Sequence, residues 1–228
     1  MGTSKGYIPP KNEEWKKAKS AVTRMINGNE GTDSIKKATS KYAEAYLSTH
    51  MNTSNIGKVA GKVLQLLGNL KENGINEALN SEGLREVIGR YNGEICTGLI
   101  NYFCTDNTSI DDGIIRECLV DIFDDKEIFD LDDLNKLNAD DFLMYFIIKY
   151  MQINFEVAFS EKIQGLCSSI DEANSKIDDV KEYIEDTIRN MYTEDELLNL
   201  NWKGTEGINF VNRKCEECYK LLLILEEV

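Results

Sequence analysis

Residues 169–191, SIDEANSKIDDVKEYIEDTIRNM, contain the clearest structural signal in the chain. Apolar side chains recur there at intervals of three and four residues, which places them on one face of an α-helix. Ser169 and Glu172 have the spacing of a capping box, so we expect the helix to begin at this point. The apolar positions of the predicted face are Ile170, Ala173, Ile177, Val180, Ile184, Ile188 and Met191.

Helical spacing recurs along most of the chain, and the alternating pattern of β-strands is absent from the sequence. The apolar segment 142–155 is too short to span a bilayer and predicts a buried helix over about 140–160. The only two prolines are Pro9 and Pro10, so the rest of the chain can form long helices. We predict an all-α fold, a multi-helix bundle that follows a flexible N-terminal arm of residues 1–10.

Composition changes near residues 104–110. The glycine-rich segment 56–104 predicts three or four short helices, whereas residues 105–141 hold 13 acidic and 3 basic side chains. We therefore expect an N-terminal helical region, 11–104, and an acidic C-terminal helical bundle, 105–228. A single continuous domain over 11–228 is the alternative. Further helices are predicted from Ser109, from Thr193 and over 206–228.

The charge distribution limits the possible partners. The net charge is −14, although residues 1–60 carry a net charge of +5. A strongly negative protein repels phosphates, so we do not expect direct nucleic-acid binding. Single-strand binding by the basic first helices stays open as a minor alternative. The sequence shows no secretory signal and predicts a cytoplasmic protein with free thiols and no membrane segment. The basic residues of the first helix are Lys11, Lys16, Lys17, Lys19 and Arg24.

No catalytic or metal-binding arrangement stands out. Cys215 and Cys218 have zinc-ligand spacing, but a structural zinc site needs four ligands and the chain lacks a second such pair. Both cysteines also fall on an apolar helix face, which indicates core packing. We interpret Gly57 and Gly61 as positions that allow two helices to approach each other closely. With His50 as the only histidine, we predict a chain that is not an enzyme and uses no cofactor or metal.

The acidic segment contains several closely spaced aspartates that do not follow the ligand pattern of a calcium loop. We interpret them as a solvated face or as a docking surface for a basic partner. These acidic groups are Asp111-Asp112, Asp124-Asp125, Asp130-x-Asp132-Asp133 and Asp140-Asp141.

The N-terminus offers one reactive group. Gly2 is small, so we expect Met1 to be removed and the glycine α-amine to be exposed. Such an amine has an unperturbed pKa of about 7.7–8.0, which leaves a nucleophilic neutral fraction at cellular pH. Residue 6 is Gly rather than Ser or Thr, so the myristoylation pattern is not met.

Several short motifs resemble the QatB-like proteins of bacterial QatABCD anti-phage defence systems. These motifs are the start Met1-Gly2-Thr3-Ser4 followed by a proline pair and a tryptophan-bearing helix, the aromatic-rich segment 142–152, and the stretch 197–207 around Trp202. The resemblance implies a non-enzymatic subunit that acts with a QatA-like ATPase, a QatC-like (QueC-like) enzyme and a TatD-like nuclease.

The resemblance also implies a role for the N-terminus. A QueC-like enzyme activates the carboxylate of a 7-deazaguanine and would join it to Gly2, with Thr3 and Ser4 as recognition residues. The alternative is an unmodified helical adaptor that bridges the other subunits. In that case the acidic segment would dock a basic partner, and Asp124 and Asp125 would be essential for binding.

Overall fold

The computed structural model describes residues 10–28, 31–49, 54–87, 92–105, 109–192 and 200–224, without the side chains of residues 87, 92, 93 and 224. Over these ranges the chain forms α-helices and two short 3-10 helices, with no β-strand. The prediction of an all-α, multi-helix fold is therefore confirmed. The α-helices are α1 (Glu13–Asn27), α2 (Thr32–Thr49), α3 (Ile56–Asn73), α4 (Ile75–Ser81), α5 (Asn92–Phe103), α6 (Ile110–Asp125), α7 (Ala139–Gln164), α8 (Ile170–Met191) and α9 (Thr205–Ile224), and the 3-10 helices are Arg85–Val87 and Asp132–Lys136.

Capping side chains explain where several helices begin. Asn12 caps α1, because its side chain accepts a hydrogen bond from a backbone N–H three residues later at 3.0 Å. Ser109 opens α6 with a complete capping box, as predicted. The box predicted at α8 is only half formed. Ser169 accepts from the N–H of Glu172 at 3.1 Å, whereas the Glu172 carboxylate accepts from Ser168.

Two sequence predictions about the helices are wrong in part. The glycine-rich segment does not form only short helices, because α3 continues for 18 residues through three glycines. Ile170 does not belong to the buried face of α8, because it is 70% exposed at the first position of the helix. The next five apolar positions of that face, from Ala173 to Ile188, are buried as predicted.

The chain divides into two compact units. The second unit comprises residues 54–150 and 193–214, and the first comprises 1–53, 151–192 and 215–228. Helices α7 and α9 each contribute residues to both units. The division into residues 11–104 and 105–228, which the composition predicts, differs from these two units and stays a prediction.

An aromatic cluster around Tyr42 forms the core of the first unit. The Tyr42 ring is fully buried and makes edge contacts with Phe155 at 5.4 Å and with Tyr219 at 5.8 Å between ring centroids. Its hydroxyl donates to the carbonyl oxygen of Met151 at 3.0 Å and forms a second hydrogen bond with the Tyr219 hydroxyl, also at 3.0 Å, in which either hydroxyl can be the donor. Tyr46 stacks on Tyr219 at 4.2 Å. Aromatic area and one polar interaction thus stabilise this core together.

Close backbone contact characterises the second unit. A Cβ atom on Gly57 would lie 2.6 Å from Oδ1 of Asn212 and 2.7 Å from the carbonyl oxygen of Ile208, both on α9. A Cβ atom on Gly61 would overlap the carbonyl oxygen of Trp202. The predicted close approach between helices is confirmed at Gly57, whereas Gly61 approaches the turn at Trp202 that precedes α9. Both approaches explain why α3 carries these two glycines.

A buried carboxylate anchors the segment that precedes α9. The Glu82 side chain is 3% exposed and forms an ion pair with Lys203. It also accepts hydrogen bonds from the Tyr102 hydroxyl at 2.8 Å and from Asn69 at 3.1 Å. Burial, and then the bond to Glu82, raise the pKa of Tyr102, so the phenol stays protonated and remains a donor. These contacts connect Lys203 to α3, α4 and α5.

Candidate partner-docking surface

Two aspartates at the start of α6 are structural rather than available to a partner. Asp111 accepts hydrogen bonds from the Ser54 hydroxyl at 3.1 Å, from the N–H of Asn55 at 2.9 Å and from the Tyr150 hydroxyl. Asp112 is 4% exposed and accepts from Ser109 and from the Asn55 amide at 2.9 Å. These carboxylates connect the start of α3 to the start of α6.

Another pair, Asp130 and Asp133, shapes the turn between α6 and the second 3-10 helix. Asp133 accepts from the N–H groups of Phe129 and Asp130 at 2.9 and 3.0 Å and forms an ion pair with Lys136 at 2.9 Å. The Lys136 ammonium, and then the two N–H groups, lower the pKa of Asp133 to about 2. Asp130 in turn accepts from the N–H of Asp132 at 2.9 Å.

Four further acidic side chains within residues 124–132 are exposed, and Phe129 in the same stretch is 56% exposed. A single exposed apolar residue is common on protein surfaces, so Phe129 is of interest only together with these charges. We use the term acidic surface for the exposed set Asp124, Asp125, Glu127, Phe129 and Asp132.

Two features of the acidic surface are locally unfavourable for stability. Asp124 and Asp125 occupy the last turn of α6, where the negative end of the helix dipole disfavours carboxylates and the turn itself contains no basic residue. Lys149 of α7 offsets part of this cost through an ion pair with Asp125 at 2.8 Å. Glu127 has a φ of 51°, an uncommon backbone conformation for a residue other than glycine. Such local conflicts are typical of functional surfaces.

Cys96 reports the negative potential of this region. Its thiol donates to the carbonyl oxygen of Ile128 at 2.8 Å. Burial raises the pKa of the Cys96 thiol, and the nearby charges of Asp124, Asp133 and Asp130 raise it further. The thiol is therefore a poor nucleophile. The three carboxylates thus all contribute negative potential at the Cys96 thiol. A negative potential attracts a cationic partner.

The two C-terminal cysteines are buried, which agrees with the predicted core packing. Cys215 and Cys218 are each 1% exposed and contribute to the core, as expected. Within the described part of the chain, no group of three or more His, Cys, Asp or Glu side chains is placed to hold a metal ion.

Comparison with known families identifies the group to which the chain belongs. Residues 45–222 match the family described as "QatB: Qat anti-phage system associated protein QatB". The chain belongs to the QatB family. It is therefore a component of an anti-phage defence system, as the sequence motifs suggested. No curated protein and no solved structure matches the chain.

The QatB match includes the acidic surface but not the N-terminus. Gly2, Thr3 and Ser4, the predicted modification and recognition residues, lie outside the described residues, as does His50. None of the QatB helices that the structure describes has both the length and the apolar character needed to cross a bilayer. Sequence reasoning did not single out Phe129, whose exposure has no signature in the local sequence.

Proposed function

We propose that this QatB family member is a non-catalytic protein substrate within its defence system. After removal of Met1, the neutral amine of Gly2 attacks a 7-deazaguanine carboxylate that a QatC-like enzyme has activated as an adenylate. An amide bond forms, AMP leaves, and the amine loses a proton. Thr3 and Ser4 provide the side chains that the enzyme recognises. Membership of the QatB family is the observation that supports this proposal most strongly.

Protection of cells against phage tests this role. In cells that carry the complete defence system, Gly2→Glu should retain Met1, because the new side chain is bulky, and should abolish protection. Gly6→Ala changes the same arm without touching the amine and serves as the matched control. Full protection by the Gly2→Glu variant, at equal protein abundance, would contradict the proposal.

A second candidate function is that of an adaptor that bridges a QatA-like ATPase or a TatD-like nuclease. The acidic surface favours it, because one short stretch of sequence holds several exposed carboxylates and an exposed aromatic ring. Aromatic residues commonly provide the main energetic contacts of an interface, and the surrounding charges accelerate association with a partner of opposite sign. In this case the amine of Gly2 would not be needed, and Gly2→Ala would leave protection intact.

Charge reversal tests whether the partner binds the acidic surface itself or responds only to the net negative charge of the protein. The double variant Asp124→Lys/Asp125→Lys should abolish co-purification of the partner. The matched control is Asp178→Lys/Glu182→Lys, which makes the same charge change at exposed positions of α8. Equal loss of binding in both variants would show that net charge alone is responsible and would contradict a specific acidic surface.

A further inference from the structure

A basic groove lies between α1 and α2 in the first unit, with a volume of about 300 Å³. Four cationic side chains line it, Lys17 and Arg24 from α1 and Lys37 and Lys41 from α2. No acidic side chain is among its described lining residues. The other lining residues are Ser20, Ala21, Met25 and Ser34.

This concentration of positive charge contrasts with the chain as a whole, in which 40 acidic residues outnumber 26 basic ones. Glu44 neutralises part of the charge through an ion pair with Lys41 at 3.2 Å. A neighbouring groove, which shares Met25 and Ser34 with it, is lined by three acids and one lysine, so the basic character is confined to one side of α2.

The spacing of the cations suits a compact anion with several charges. Lys17 and Arg24 are two helical turns apart, or about 10 Å, and Lys37 and Lys41 are one turn apart, or about 6 Å, at 1.5 Å per residue. Arginine can bind two phosphate oxygens at once, and lysine acts as a point charge toward phosphate. Ala21 and Met25 provide apolar contact for an organic group.

We propose that this groove binds a nucleotide-sized polyphosphate. Its volume lies at the lower end of the range for small-molecule pockets. A long nucleic-acid strand fits less well, because the net charge of −14 repels an extended polyanion and none of the described lining residues is an aromatic one on which bases could stack. All four cations lie outside residues 45–222, so the groove is a feature of this chain beyond the matched QatB segment.

Calorimetric titration of the full-length protein with ATP at low salt tests the proposal. The wild-type protein should show saturable binding that weakens as salt is added. The variant Arg24→Gln/Lys37→Gln should bind ATP at least about tenfold more weakly, because two charge-assisted contacts are lost. The control Lys16→Gln/Lys36→Gln removes the same charge from the same two helices outside the groove and should bind within about twofold of wild type.

Three outcomes would overturn the proposal. The first is the absence of ATP binding by the wild-type protein, and the second is equal weakening in the groove variant and the control. The third is tight binding of a thymidine decamer without binding of ATP, which would assign the groove to a nucleic-acid strand. The helical signal in the circular dichroism spectrum of each variant, together with its melting temperature, establishes that the variant folds.

Discussion

The two units of the molecule are stabilised in different ways. The first unit is centred on the buried aromatic ring of Tyr42, which contacts other rings and one pair of polar groups. The second depends on backbone contact at Gly57 and Gly61 and on the carboxylates of Asp111 and Asp112, which join segments distant in sequence. Aromatic packing accommodates changes in shape by small rearrangements, whereas contact between two backbones leaves no such freedom.

The largest expected effect comes from adding one methyl group to the second unit. Gly61→Ala places a Cβ atom against the backbone carbonyl of Trp202, and neither backbone can move without shifting its helix or its turn. We expect a loss of about 3 kcal/mol in the free energy of unfolding. Urea denaturation monitored by circular dichroism measures this loss.

Gly68→Ala is the matched control on the same helix, because a Cβ atom there would meet no atom within 4 Å. Alanine is favoured over glycine in a helix interior, so this variant should gain about 0.5–1 kcal/mol. Equal stabilities of the two alanine variants would contradict the close approach at Gly61.

A smaller effect is expected in the first unit from Tyr42→Phe, which keeps the aromatic packing and removes the hydroxyl. The carbonyl of Met151 and the hydroxyl of Tyr219 would both lose a partner in a buried site, at a cost of about 2 kcal/mol. Urea denaturation of this variant measures the cost. An unchanged stability would show that ring packing alone determines this core.

The smallest effect concerns the pH dependence of stability. The folded state lowers the pKa of Asp133 from 3.8 to about 2, so it favours the carboxylate. This stabilisation is present above about pH 4 and is lost as the pH falls toward 2. Asp133→Asn should therefore lose less stability over this interval than wild type, in urea denaturation curves recorded at several pH values. Asp132→Asn, at a neighbouring exposed position, should lose as much stability over this interval as wild type. An equally small loss of stability in both variants would contradict the assignment of this pH dependence to Asp133.

Much of the fold could be predicted because apolar periodicity is a local property. The buried face of α8 and the cap at Ser109 follow from spacings of three and four residues. The length of α3 could not be predicted in this way. Its glycines lower helix propensity, and only the contacts with Asn212 and Trp202, more than 130 positions away, explain the presence of Gly57 and Gly61.

The candidate site shows the same limit more sharply. Asp111-Asp112 and Asp124-Asp125 are the same dipeptide, but the first pair accepts hydrogen bonds within the unit while the second is exposed. The difference arises from Ser54 and Tyr150, which lie about 40 or more positions from Asp111 along the chain. Residue spacing alone could identify the acidic segment but not the carboxylates within it that face solvent.

The decisive measurement for Gly2 is the intact mass of the protein, purified from cells with and without an active QueC-like neighbour. We expect an added 7-deazaguanine on the N-terminal peptide, attached at Gly2, which disappears when the neighbour is inactivated. An unmodified Gly2 under both conditions would contradict the role of protein substrate and favour the adaptor function of the acidic surface.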